Sequence, residues 1–278
     1  MRTGNITLDD NITLHYEEYG EGDNIILSMQ CGFYPVGMQQ YMAGLGYHVY
    51  CITMRGFHPS SLVYEDYGER WYDIFANDVL AFADKMGINR FIYMGASHGA
   101  GIGWHLMLLG SGRIDAFIAV VAGPHSLEEG TMSYRQMIEQ GIIECVPPFD
   151  PPIENDPKRQ SRRDAREKWL ASLPEAPEAE RKLDNGRPLM KYKNEEDLRK
   201  ALSAIDVPTL LIGGCDDPIS RPELLMRTAG CLPHCKLVMF SNCGHNIDTD
   251  LIEEVSDEAD RFIKNVKKTG KWYRVPED

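Results

Sequence analysis

Short apolar runs alternate with longer amphipathic stretches along most of the chain. Residues 5–19 form two alternating segments around the polar residues Asp9, Asp10 and Asn11, a pattern typical of an antiparallel hairpin. The stretch 71–86 has the apolar spacing of a helix. Further predicted strands lie at 25–29, at 48–53, directly before Gly95, at 116–121, around Leu210 and at 236–240. This alternation predicts the α/β class, with a mostly parallel eight-stranded sheet covered by helices on both faces.

The pattern changes after Gly123 and Pro124. In the segment that follows, β-branched residues become rare and charged residues frequent, with a proline-rich break at 147–152 and a helical stretch at 161–173. A helical insertion in an α/β core explains this change. The predicted core comprises residues 1–124 and 204–278, and the predicted cap comprises residues 125–203.

Arginines are concentrated in and just before that helical stretch. They could meet an anionic substrate, or they could lie on a solvated helix face with pairs such as Asp164 and Lys168, and the second interpretation is favoured. The arginines are Arg159, Arg162, Arg163 and Arg166.

The segment from Gly95 to Gly99 reads GASHG and joins an apolar strand to a helix-compatible stretch. A serine on such a sharp turn has its hydroxyl exposed at the end of a sheet, and the flanking glycines are needed because the turn leaves no room for side chains. The pattern therefore predicts a nucleophile elbow at Ser97. A dinucleotide-binding loop is disfavoured, because the glycines from 99 onward are spaced G-x-G-x-G rather than G-x-G-x-x-G.

Two later strands end in residues that a serine nucleophile requires. One run ends in Asp216 and Asp217, and His245 follows the next strand. The order serine, acid, histidine resembles that of the α/β-hydrolase fold family, and the resemblance extends over nearly the whole chain. It implies that Ser97 is the nucleophile, His245 the base and Asp217 the carboxylate that orients the base. The family's glycine-x-x-acid spacing maps Gly214 onto Asp217 and so favours it over its neighbour.

An acyl-transfer site also needs two backbone N–H groups directed at the developing oxyanion. The resemblance implies that His98 supplies one and Phe33, after the strand at 25–29, supplies the other. Cys31 stands where the family usually has a histidine, and in the stretch 53–60 a threonine and a histidine replace the family's acid and one of its glycines. A partly aromatic substrate pocket is expected, with walls formed by Cys31, Phe33, Tyr34, Trp104 and cap residues.

Charge and composition limit the partners. The formal net charge is −13 and the pI is near 5.1, which disfavours a nucleic acid or an anionic membrane. The beginning of the sequence lacks the apolar core of a secretory signal, and no apolar run reaches the roughly 18 residues of a membrane span. The expected partner is a small-molecule substrate, and a homodimer remains open.

The chain contains 7 cysteines without a regular framework of spacings, which favours a reducing, cytoplasmic compartment. A metal site is not expected, because the strand at 236–240 separates the cysteine and histidine residues around it. No cofactor is expected either.

These features predict a serine hydrolase that cleaves a small ester, lactone or related acyl compound through an acyl-enzyme. Alternatives on the same scaffold are a C–C bond hydrolase, a cofactor-free dioxygenase, whose elbow the Ser-His-Gly sequence also resembles, and a non-catalytic small-molecule receptor that retains the triad.

Overall fold

A computed structural model describes residues 1–110, 112–144 and 150–270. The elements of this part of the chain are β1 (Arg2–Thr7), β2 (Thr13–Tyr19), β3 (Ile25–Gln30), α1 (Met38–Gly44), β4 (His48–Thr53), α2 (Trp71–Lys85), β5 (Phe91–Ala96), α3 (His98–Leu108), β6 (Ile114–Val120), α4 (Tyr134–Glu139), α5 (Pro157–Ser172), α6 (Glu178–Arg181), α7 (Glu195–Ser203), β7 (Thr209–Gly214), α8 (Pro222–Cys231), β8 (Cys235–Phe240), α9 (Ile247–Asp250) and α10 (Ile252–Thr269).

The strands form one sheet in the spatial order β1-β2-β4-β3-β5-β6-β7-β8. β2 is antiparallel to both of its neighbours, and every other adjacent pair of described strands is parallel. The predicted α/β class and mostly parallel eight-stranded sheet are confirmed. Every residue of β5 and of β7 is buried, as expected for parallel strands covered on both faces.

Helices cover the two faces of the sheet with separate apolar clusters. On one face, α2 and α3 contribute residues such as Phe75, Phe82 and Leu106. On the other, α1 and α10 contribute Met42 and Phe262. Complete burial of one such side chain stabilises the fold by about 1.5–3 kcal/mol, so each layer is held firmly. The carboxyl ends of the parallel strands therefore stand at one fixed edge of the sheet, where their loops meet.

The segment between β6 and β7 contains α4 to α7. No residue of α5 is buried, and its first turn is capped by the Asp156 side chain, which accepts a hydrogen bond from the Arg159 amide at 3.1 Å. α7 differs, because Leu198 and Leu202 are buried in the same cluster as α2 and α3. α7 therefore packs on the core more deeply than α5 does, and the cap bounds of 125–203 stay a prediction.

The arginines of α5 face the core rather than solvent. Arg159 and Arg163 both bind the carboxylate of Asp250, which is completely buried, through N–H···O contacts of 2.5–3.1 Å. Arg162 binds Glu253 with two contacts of 2.6 Å. The sequence favoured a solvated helix face for all four arginines. Arg159, Arg162 and Arg163 instead join the inserted segment to α9 and α10.

Candidate active site

Ser97 lies on the sharp turn between β5 and α3. Its backbone has φ +48° and ψ −113°, a conformation that costs a non-glycine residue on the order of 1–3 kcal/mol. A Cβ at Gly95 would lie 2.4 Å from the carbonyl carbon of Gly99, and a Cβ at Gly99 would lie 2.7 Å from the Met29 oxygen. The turn therefore has no room for side chains at either position.

The structure brings Ser97, His245 and Asp217 together. Ser97 Oγ is 2.9 Å from Nε2 of His245, and Nδ1 of the same ring is 2.9 Å from Oδ2 of Asp217. Because a carboxylate only accepts hydrogen bonds, the proton of a neutral imidazole is placed on Nδ1. Nε2 is then free to accept the serine hydroxyl, which is the arrangement that a general base needs.

Asp217 is held rigidly, and its neighbour is not part of the site. Oδ1 of Asp217 accepts the backbone N–H groups of Ile219 at 2.8 Å and Ser220 at 2.9 Å, which leaves Oδ2 for the histidine. Asp217 is buried, whereas Asp216 is exposed. Of the two acids that the sequence offered, only Asp217 contacts His245.

Close packing joins the two loops that carry the acid and the histidine. A Cβ at Gly214, the last residue of β7, would lie 2.2 Å from the Cys243 oxygen. The same oxygen accepts the Asp216 amide at 2.9 Å. Glycine at this strand end lets the histidine loop approach the acid loop closely enough for the contact between Asp217 and His245.

A cavity of about 240 Å³ opens beside the Ser97 and His245 side chains. His98 lies in it, and a hydrogen bond of 2.6 Å joins its Nδ1 to the Tyr72 hydroxyl. Burial lowers the pKa of His98, and the charges of His245 and Arg135 lower it further. The cavity therefore holds a second imidazole, and its surroundings favour the neutral form of the ring.

The residues predicted to wall the pocket are found in different places. Trp104 is almost completely buried; its indole N–H donates to the Ala122 oxygen at 2.7 Å, and only part of the ring lines the cavity. The Phe33 side chain belongs to the core cluster under α1 and α10. Tyr34 packs against Trp169 of α5, with 5.5 Å between the ring centroids. The backbone amides of Phe33 and His98 remain the predicted oxyanion donors.

Cys31 lines a second cavity, of about 510 Å³, and neither it nor Tyr34 is among the described residues around the first. The loop after β3 places Tyr34 against α5 and Cys31 in the second cavity, and substrate contacts by these two residues stay a prediction. The two cavities are neighbours, since Trp71 lines the second and Tyr72 the first. Glu180 is buried in the second cavity, and burial raises its pKa.

Sequence reasoning did not identify several polar residues that line the triad cavity, and four of them are large. Tyr72 lies in the first turn of α2, one arginine directly precedes α8, and the other two arginines come from the segment inserted between β6 and β7. No local motif marks them. They are Tyr72, Arg135, Arg187 and Arg221.

Two further features of the described residues bear on chemistry. No group of three or more His, Cys, Asp or Glu side chains among them could hold a metal ion. None of their helices combines the length and the apolar character needed to cross a bilayer.

The family model for the α/β hydrolase fold matches residues 27–247, which is most of the chain, so the protein belongs to the α/β-hydrolase family. It is similar to the AB hydrolase superfamily protein YisY of Bacillus subtilis (strain 168), with 25% identity over 268 residues that cover 92% of this chain and 97% of YisY.

Solved structures show the same fold. A thermophilic esterase from Thermogutta terrifontis superposes with a TM-score of 0.70 at 19% identity, covering 96% of this chain and 99% of the esterase. Est816, described as an N-acyl homoserine lactone degrading enzyme, gives a TM-score of 0.68 at 22% identity, covering 91% of this chain and 98% of Est816. The fold is thus that of a hydrolase family with esterase and lactone-degrading structural neighbours.

Proposed function

We propose that the protein is a serine hydrolase that cleaves a small ester, lactone or related acyl compound through an acyl-enzyme. The observation that carries the proposal is the continuous chain of hydrogen bonds from Ser97 through His245 to Asp217 at the edge of a cavity. The size of that cavity, about 240 Å³, suits a small substrate. The neighbouring esterase and lactone-degrading structures agree with this reaction class.

Acylation begins when Ser97 Oγ attacks the carbonyl carbon of the substrate while Nε2 of His245 takes the hydroxyl proton. Asp217 stabilises the imidazolium that forms. The carbonyl oxygen becomes an oxyanion, for which the amides of Phe33 and His98 are the proposed donors. When the tetrahedral intermediate collapses, the bond to the leaving oxygen breaks, and that oxygen receives the proton from Nε2.

Deacylation repeats the sequence with water as the nucleophile. Nε2 of His245 removes a proton from water, the resulting hydroxide attacks the acyl carbon, and the bond from that carbon to Ser97 breaks. The Ser97 oxygen regains its proton from Nε2. The products are a carboxylic acid and an alcohol, or an opened hydroxy acid when the substrate is a lactone.

A cytoplasmic location is part of the proposal. Its support is that the six described cysteines are all free thiols, as expected in a reducing compartment: Cys31, Cys51, Cys215, Cys231, Cys235 and Cys243. Chromatography of the intact protein under oxidising and reducing conditions, followed by fractionation of the cells that make it, tests this assignment.

The decisive experiment combines covalent labelling with turnover. A fluorophosphonate probe should modify Ser97, as identified by mass spectrometry of the labelled peptide, and Ser97→Ala should remain folded but lose ester hydrolysis by several orders of magnitude. Retention of more than a tenth of wild-type activity by Ser97→Ala would contradict the assignment. Oxygen consumption that survives this substitution would indicate a dioxygenase, and tight ligand binding without turnover in the wild type would indicate a receptor.

A further inference from the structure

Three arginines line the cavity that contains Ser97, and each comes from a different part of the chain. Arg135 lies on α4, Arg187 on the loop between α6 and α7, and Arg221 at the start of α8. No aspartate or glutamate is among the described residues that line the same cavity. The charged side chains that line the triad cavity in the described part of the chain are therefore arginines, although the whole chain carries a net charge of −13.

The carboxylates that pair with these arginines lie outside the described cavity lining. Arg135 contacts Glu139 and Asp184, Arg187 contacts Glu139 at 2.7 Å through Nη2, and Arg221 contacts Glu223 at 3.2 Å. Nε of Arg187 is buried and has no hydrogen-bond partner among the described residues. A guanidinium has five N–H donors, so these outer pairs leave donors of Arg187 uncommitted.

The loop that carries Arg187 is fixed against the core. The amide of Leu189 donates to Nε2 of His105 at 2.7 Å, and Nδ1 of that ring is 2.6 Å from Asp73. A Cβ at Gly101 would lie 2.6 Å from the Pro188 ring, so α3 and this loop pack with no space between them. Arg187 is thus held in place before any ligand arrives.

Two histidines that line the cavity respond to this charge. Burial is the main cause that lowers the pKa of His125, and the charges of Arg187 and Arg227 lower it further. His98 is affected in the same direction by Arg135. These shifts favour the neutral form of both rings, so the arginines are the permanently charged groups of the described lining.

We propose that the cavity binds substrates that carry an anionic group, with a carboxylate as the simplest form, and that Arg187 is the principal residue that recognises it. Arginine suits this role because its planar guanidinium can form two parallel hydrogen bonds with a carboxylate. Since the cavity is small and also contains Ser97, the anion has to lie within a few bonds of the scissile carbonyl. The hydrolysis of such substrates rests on the proposed function, whereas the binding of the anion does not.

Matched substrate pairs test the inference. One pair is 4-acetoxybenzoate and its methyl ester, and the other is monomethyl glutarate and dimethyl glutarate. Each rate is divided by the alkaline hydrolysis rate of the same compound, which removes differences in intrinsic reactivity. For the wild type, kcat/KM should be at least tenfold higher for the anionic member of at least one pair.

Variants then assign the preference to the arginine. Arg187→Gln should abolish the preference for the anionic substrate, mainly by raising KM for that substrate. Arg187→Lys should restore part of the preference. Arg221→Gln provides a second variant should Arg187→Gln fail to fold, and is expected to weaken the preference less. The matched control is Arg181→Gln, because Arg181 is a half-exposed arginine of the insertion that pairs with Glu175 and is absent from the described lining of this cavity. Two results overturn the inference. One is a wild type whose corrected kcat/KM is equal for both members of each pair or higher for the neutral member. The other is a preference for the anionic member that survives Arg187→Gln.

A binding measurement separates this inference from the proposed function. Calorimetry of Ser97→Ala with benzoate and with glutarate should show binding that the added Arg187→Gln substitution weakens at least fivefold. If the wild type hydrolyses neither member of any pair but this binding is observed, the hydrolase proposal fails and the anion site stands. If neutral esters are hydrolysed and neither anion binds, the hydrolase proposal stands and the anion site fails.

Discussion

Asp150, in the segment inserted between β6 and β7, binds Asn246, the residue that directly follows His245. The backbone N–H of Asn246 donates to Oδ1 of Asp150 at 2.9 Å, and its side-chain amide donates to Oδ2. Asp150 is buried. The inserted segment therefore holds the loop that carries His245 and also lines the cavity.

Asp150→Ala should reduce kcat about tenfold or more with a smaller change in KM, because small displacements of a catalytic group impair the reaction more than the binding of substrate. Asp150→Asn retains one acceptor and should lose less. Steady-state kinetics on a neutral activated ester, together with thermal melts of the three proteins, check this prediction. An unchanged kcat in a well-folded Asp150→Ala protein would show that the contact does not position His245.

Asp217→Asn should lower turnover by about 10⁴-fold, while Asp216→Asn should change it little. The Asp217 oxygen that accepts two backbone amides would become the carbonyl oxygen of the new asparagine. Its NH₂ group would then face Nδ1 of His245, so the imidazole proton would move to Nε2 and block the base. Single-turnover kinetics of both variants measure this, and a larger loss for Asp216→Asn would contradict the assignment.

Asp250→Asn should destabilise the protein by about 3–5 kcal/mol, because it leaves Arg159 and Arg163 largely buried beside a group without charge. Urea denaturation of the variant and the wild type measures the difference. The matched control is Glu175→Gln, which removes an ion pair whose glutamate side chain is 87% exposed and should cost about 0–1 kcal/mol. Similar losses for the two variants would show that α5 is not held by Asp250.

Stability at acid pH should depend on Glu253. Hydrogen bonding from Arg162 lowers the pKa of this carboxyl from 4.5 to about 2 in the folded protein, although burial opposes the shift, and Lys158 lowers it further. The unfolded chain therefore takes up the proton first, so the stabilisation is present above pH 4.5 and is lost as the pH falls toward 2.

In urea titrations between pH 5 and pH 3, the wild type should lose up to about 1 kcal/mol more than Glu253→Gln, a modest amount because solvent screens this partly exposed pair. Parallel pH profiles for the two proteins would contradict the prediction.

The sequence predicted the sheet and the meeting of Ser97, Asp217 and His245, because each of these depends on local pattern. A buried run ending in glycine or an acid marks a strand end, and parallel strands bring such ends to one edge. The choice of Asp217 over Asp216 came from the resemblance to the family, whose glycine-x-x-acid spacing maps Gly214 onto Asp217.

The rest depended on contacts between distant segments. Arg187 and Arg135 face the cavity because the insertion folds over the core, and no spacing encodes that placement. Arg163 looked like part of a solvated helix face because its partner, Asp250, lies 87 residues further along the chain. Trp104 was expected in the pocket wall because it is aromatic. Its indole N–H instead donates a hydrogen bond to the Ala122 oxygen, and most of its surface packs in the core.

The contact between Asp150 and Asn246 has a consequence for the order in which the protein matures during synthesis. Residues 1–144 contain Ser97 and six of the eight strands, but neither Asp217 nor His245. His245 follows β8, and Asn246 lies 96 residues after its partner Asp150, so the hydrogen-bonded chain to Ser97 cannot close until translation has passed β8. A nascent chain of this protein therefore carries Ser97 without its hydrogen-bond partner until His245 has been synthesised.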